Sequence, residues 1–235
     1  MKKIGLLTAV TLSACIGMSV TGKADTQYFV SGEDDLQQII DTCNDSIYNR
    51  VEIYMESGTY SPFDAVSDMA EEPRYIDFIG MGMVVVESDD GRYESPAAKL
   101  RLDGKVEGIS FVATHRKGEV PPDDDGAYAV HADYGSQHTE FKDCSFLSYQ
   151  TASVGMGLTH DSEVTFENCQ FTNRADESLK RWKDGAIYVH SDVHDFDKAG
   201  ARLNFNSCSF VAPAGAHGNI ITQELNGSSI EINYG

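Results

Sequence analysis

Three short segments of this chain repeat one another, and that repetition limits what the chain can fold into. His138-Thr-Glu-Phe-Lys-Asp-Cys144-Ser-Phe146, Ser162-Glu-Val-Thr-Phe-Glu-Asn-Cys169-Gln-Phe171 and Ala201-Arg-Leu-Asn-Phe-Asn-Ser-Cys208-Ser-Phe210 alternate apolar with polar residues and close on Phe-x-x-Cys-x-Phe. A fourth copy begins at Ile230-Glu-Ile-Asn-Tyr-Gly235. The steps from Cys144 to Cys169 and on to Cys208 are 25 and 39 residues. A period near 25 with strand patterning, plus one turn carrying an insertion, is the mark of a solenoid. A second ladder runs in step with the first: Gly126-Ala-Tyr-Ala-Val-His131-Ala-Asp133 matches Gly185-Ala-Ile-Tyr-Val-His190-Ser-Asp192, and Ala152-Ser-Val-Gly-Met-Gly157 fills the slot between. The expected fold is all-β, a right-handed parallel β-helix, with residues 25–235 as one domain. Like residues should then lie over like, so Cys144, Cys169 and Cys208 are expected to stack inside as free thiols rather than pair as disulfides. There is no C-x-x-C spacing to suggest a metal.

Met1-Lys2-Lys3 followed by the apolar run Ile4 to Ala14 reads as a bacterial export signal over residues 1–24. Two processing sites compete. Leu12-Ser13-Ala14-Cys15 resembles a lipobox, which would lipidate Cys15; Gly22-Lys23-Ala24 suits ordinary cleavage. Either places the chain outside the cytoplasm, secreted or anchored at the cell surface. With 18 Lys and Arg against 37 Asp and Glu, the formal charge is −19. That excludes nucleic acid as a natural partner, since phosphates need a basic surface.

Ser31 is expected to cap a short N-terminal helix whose apolar face is Leu36, Ile39, Ile40, Cys43 and Ile47. Such a helix would plug the end of the solenoid. Val51 to Tyr60 reads as the first full strand, Tyr75 to Glu87 as the second turn, and Leu100 to Phe111 as the third. After Gly235 no capping segment follows, so the last turn invites a partner chain or an oligomer, or marks a shortened relative of a longer protein.

The order of helix, strand, Ser57-Gly-Thr-Tyr60 and Phe78-Ile-Gly-Met-Gly82 resembles the pectin lyase-like superfamily, nearest in pattern to its pectinesterase branch. Ala127 to Asp133 and Cys144-Ser-Phe-Leu-Ser-Tyr-Gln150 extend the likeness, which covers residues 30 to about 176. The resemblance implies an oxyanion-hole role for Gln150 and a nucleophile at Asp176. The family's general acid would follow Gln150, where this chain has Thr151, and the later arginine has no counterpart. A carboxylate nucleophile needs an acid for the leaving group, so the catalytic set is incomplete.

Strand alternation supplies a second site. With Val130 and Val189 pointing inward, His131, Asp133, His190 and Asp192 face out. Gly155 and Gly157 lie between them, and Tyr188 shares the face. The expected picture is two His-x-Asp pairs about 10 Å apart across a glycine floor that leaves room for a sugar ring. Histidine beside carboxylate suits base chemistry, and paired carboxylates suit glycoside hydrolysis; a solvated strand face is the plainer alternative. The insertion before Gly185 holds Lys180, Arg181 and Trp182, suited to stacking on a sugar and pairing with its carboxylate. No cofactor is expected, although Asp123 to Asp125 and Asp192 to Asp197 offer oxygens that could hold Ca²⁺. These readings point to an exported protein that binds polysaccharide on its outer sheet face. The alternatives are a carbohydrate-active enzyme of pectinesterase or lyase type, and a surface adhesin or phage-type receptor-binding subunit.

Overall fold

The computed structural model describes residues 26–66, 72–88, 96–114, 127–133, 135–159, 161–175, 184–191, 200–224 and 229–235. They are mostly β, in two parallel sheets. The first sheet runs β1 (Thr26–Val30), β2 (Val51–Tyr60), β4 (Ile76–Glu87), β6 (Asp103–Ala113), β8 (His138–Lys142), β11 (Glu163–Glu167), β14 (Ala201–Asn206) and β17 (Ile230–Tyr234). Its continuation beyond a corner adds β9 (Ser145–Ser148), β12 (Gln170–Asn173) and β15 (Ser209–Val211). The second sheet stacks β3 (Phe63–Ala65), β5 (Ala98–Leu100), β7 (Val130–Asp133), β10 (Val154–Leu158), β13 (Ile187–Ser191) and β16 (Ile220–Gln223). The chain visits the two sheets alternately, and each strand pairs with its counterpart one circuit away.

The repeat sets this register because it carries the bulkiest inward residues. Phe141, Phe166 and Phe205 align across β8, β11 and β14, with stacked rings 5.0 and 5.1 Å apart. Phe111, Phe146, Phe171 and Phe210 form a second stack at 5.0–5.7 Å. These separations match the spacing of neighbouring strands, about 4.8 Å, so backbone pairing and ring stacking reinforce each other. The columns meet edge to face, as at Phe166 and Phe171, 5.0 Å apart. A one-residue slip would turn every ring out to water, and each buried Phe is worth about 1.5–3 kcal/mol.

Cys144, Cys169 and Cys208 are free thiols at one equivalent corner position. Each donates weakly to the carbonyl two residues before it and to a carbonyl of the preceding circuit; Cys169 Sγ reaches Glu167 at 3.3 Å and Phe141 at 3.5 Å. Hydrogen bonding to Cys144, followed by burial, pushes the Cys169 thiol up to about 12. Just before each cysteine the chain turns through a left-handed residue: Asp143, Asn168 and Ser207, at φ of 52°, 52° and 55°.

Two boundaries near the N-terminus differ from the sequence reading. β1 precedes the helix, so Val51 to Tyr60 is the second strand of its sheet. The helix α1 is Leu36–Thr42, and its N-cap is Asp35, which accepts from Gln38 N at 3.0 Å. Ser31 instead closes a tight turn on Asp34, donating through both its N–H and its hydroxyl. Cys43 stands at the C-cap, and Ile47, beyond the helix, is 64% exposed. Leu36 and Ile40 join the main core. Gln37 uses its side-chain amide as a substitute strand: its Oε1 accepts from Asp64 N at 2.7 Å and its Nε2 donates to Asp64 O at 3.0 Å. This satisfies the β3 edge of the second sheet without another strand.

Candidate functional site

The outer face of the second sheet carries most of the expected site. Its strands pair with Val130 beside Val154 and Ile187, and with Ala132 beside Met156 and Val189, all inward. The outward rows follow. His131 is level with Lys99, Gly155, Tyr188 and Ile221, while Asp133 is level with Gly157, His190 and Gln223. The two histidines were expected at matching positions, and the pairing places them two residues out of step. The inward residues decide it, because a two-residue slide keeps every side chain on its own face and leaves packing to choose. His131 and His190 therefore lie diagonally across β10 from each other rather than at the ends of one row.

The glycine floor is covered. β10 is buried along its whole length, Gly155 and Gly157 included. A Cβ on Gly155 would lie 2.5 Å from Cζ of Tyr128, so the space that glycine opens is filled by the Tyr128 ring. Tyr128, Ala152 and Tyr188 make a small apolar cluster apart from the main core, with Ile221 packed against it. Each histidine sits against one of these rings, His131 5.3 Å from Tyr128 and His190 5.6 Å from Tyr188. The Tyr188 hydroxyl donates to Gln223 Oε1 at 2.6 Å, and His190 Nδ1 lies 2.9 Å from Ser191 O. Both histidines are half-buried. Tyr128 and Tyr188 are themselves buried, so the arrangement is a closed aromatic cluster edged by two imidazoles, not an open trough.

Gln150 is a clamp between loops. It is 8% exposed, its Oε1 accepts from Ala127 N at 3.0 Å, and its Nε2 donates to Thr114 O at 2.8 Å. Thr151 is fully buried. Of the other expected residues, Cys15, Asp176, Lys180, Arg181, Trp182 and Asp192 lie outside the described residues, as does the side chain of Asp133. Both candidate Ca²⁺ loops, and the expected export signal, fall outside them as well. Among the described residues no group of three or more His, Cys, Asp or Glu side chains converges as a metal site.

One polar pair escaped the sequence reading. Asp184, three residues before β13, accepts from His217 N at 3.2 Å, and its other oxygen lies 3.1 Å from His217 Nδ1. His217 stands at the same distance before β16. The pairing of Ile187 with Ile220 is the signal that brings the two together, and it was hidden by the unlike loops around them. No protein-family model matches the chain, and no curated protein matches it significantly.

Proposed function

We propose that this chain is an exported, right-handed parallel β-helix of pectin lyase-like type, with α1 closing its first turn, that binds polysaccharide along the outer face of its second sheet. The observation that carries this reading is the pair of imidazole–phenol contacts on that face, His131 with Tyr128 and His190 with Tyr188. Around them stand Lys99, level with His131, and Gln223, level with His190. Half-buried imidazoles backed by buried phenol rings suit sugars, which present apolar ring faces and hydroxyl rims together. The two pairs stand on β7 and β13, two strand spacings or about 10 Å apart, so an extended chain of rings laid across the strands can meet both. Binding fits this face better than ester hydrolysis, because both ends of the Gln150 amide bond to backbone and Thr151 is buried where the family has its acid.

The test is a binding screen of the full chain against methylated pectin, polygalacturonate and host glycans, run with an assay for released methanol. The expected outcome is binding to one class without methanol release, weakened about tenfold or more in a His131→Ala, His190→Ala double variant. Binding that is indifferent to both substitutions would remove the face from consideration. Methanol release would restore the enzymatic alternative.

A further inference from the structure

One outward row of the first sheet changes character along its length. It begins with Phe29, Tyr54 and Ile79 side by side and continues with Glu107, Lys142, Glu167 and Asn206. Phe29 and Tyr54 stack at 5.1 Å and 13°, yet Phe29 remains 59% exposed. Next to them β4 bulges: its register breaks between Ile79 and Val84, and Gly82 takes φ 114°. Met81 and Met83, on this bulge, are 39% and 79% exposed. Ser57 fixes the bulge, its Oγ accepting from Met83 N at 3.1 Å and donating to Met81 O at 3.3 Å. Two rings, an isoleucine and two thioethers held at one surface are more than packing requires. Methionine there adapts to varied partners.

The backbone beside this patch is also unfinished. Among the described residues β1 ends its sheet and pairs only with β2, and Thr26, Gln27 and Phe29 along it are exposed. An exposed strand edge is a template for another strand. The rim is acidic. Glu33 and Glu56 are exposed and Glu52 is half-exposed; the Glu52 carboxylate accepts from Gln27 and Tyr54 rather than from a cation. Between residues 26 and 60 the one Lys or Arg is Arg50, already held by Asp77 and Asp103.

The geometry points to a docking site for an extended cationic peptide. It adds as a strand to the open edge of β1, lays an apolar side chain over Phe29, and sets Lys or Arg towards Glu33 and the Glu52–Glu56 row of β2. Charge complementarity selects this occupant. A second copy of this chain would bring the same acidic rim and a formal charge of −19 against its twin. The site lies on the other sheet from the proposed glycan face and stands independently of it.

The test titrates the full chain with a synthetic nonapeptide alternating lysine with valine and isoleucine, and with a control that alternates glutamate instead. Calorimetry reads affinity and amide hydrogen exchange reads β1. The lysine peptide should bind and protect the β1 amides. Its affinity should fall about tenfold in Phe29→Ser, and fall again as salt rises from about 0.05 to 0.5 M. Equal binding of the glutamate peptide would overturn the proposal. So would unchanged affinity in Phe29→Ser, whose exposed ring can be cut back without disturbing the core, or self-association of the chain that the same substitution abolishes.

Discussion

The early and late strands of the first sheet solve the same stacking problem differently. In β8, β11 and β14 the corner is a single left-handed residue, so the Phe and Cys positions stay in step and full rings pile on rings. In β6 the equivalent corner is Gly108, at φ 70°. In β4 it swells into the bulge from Gly80 to Met83, and β2 breaks register against it at Glu56 and Gly58. The early strands keep contact through glycine: a Cβ on Gly104 would lie 2.4 Å from Ile76 O, and one on Gly80 2.5 Å from Gly108 O. The late half stacks ring on ring, while the early half lines up mixed apolar residues such as Ile53, Phe78 and Val106, with glycine where backbones approach too closely for a side chain. Regular repeats are therefore legible and cohesive, while irregular ones free residues to face solvent.

That contrast can be broken most forcefully at Phe166, which stacks on Phe141 and Phe205 and meets Phe146 and Phe171 edge-on. Phe166→Ala should cost about 3–5 kcal/mol, read by denaturant unfolding, with hydrogen-exchange protection lost first in β11 and β14. A spread of lost protection reaching β2 and β4 would show that the halves are not separate in stability. Gly104→Ala tests the other half and should cost about 1–3 kcal/mol, because backbone oxygen cannot swing aside; a neutral result would mean the early strands slide freely. A smaller effect follows from the thiol column. The ordinary thiol value is 9.0, and the Cys169 thiol in the folded chain is pushed up to about 12. The unfolded chain loses this proton first as pH rises, so the contribution is whole below pH 9 and drains away towards pH 12. Cys169→Val should flatten part of that decline in a pH series of unfolding midpoints. The smallest expected change is a gain: Ser207→Gly relieves a left-handed serine and should add about 0.5–1 kcal/mol, visible as a raised thermal midpoint. No gain there would show that the Ser207 corner is not strained.

The late columns could be read from Phe-x-x-Cys-x-Phe because one motif specifies ring, corner and thiol at fixed spacing. The second sheet was legible in its faces but not in its register. Gly126 to His131 and Gly185 to His190 look alike as text, and aligning the histidines still leaves valines inward. The choice rests on how Val130, Val154 and Ile187 pack, which no alternation pattern contains. Tyr128 was hidden for a related reason. Strict alternation from Val130 points it inward, but Ala129 and Val130 both enter the core, so the phase breaks there and the ring swings over Gly155. β1 offered little signal, since five residues beside an export-like segment carry almost no periodicity. The helix start moved from Ser31 to Asp35 because two adjacent caps were available, and Asp34 occupies Ser31.

The displacement between the two histidine-bearing strands has a consequence for how such a chain can change over time. A shift by a pair of residues exchanges neighbours while leaving inside and outside intact. Loops joining these strands can therefore lengthen or shorten in even steps, re-dealing which surface groups meet each other wherever the inward residues accept the new partners.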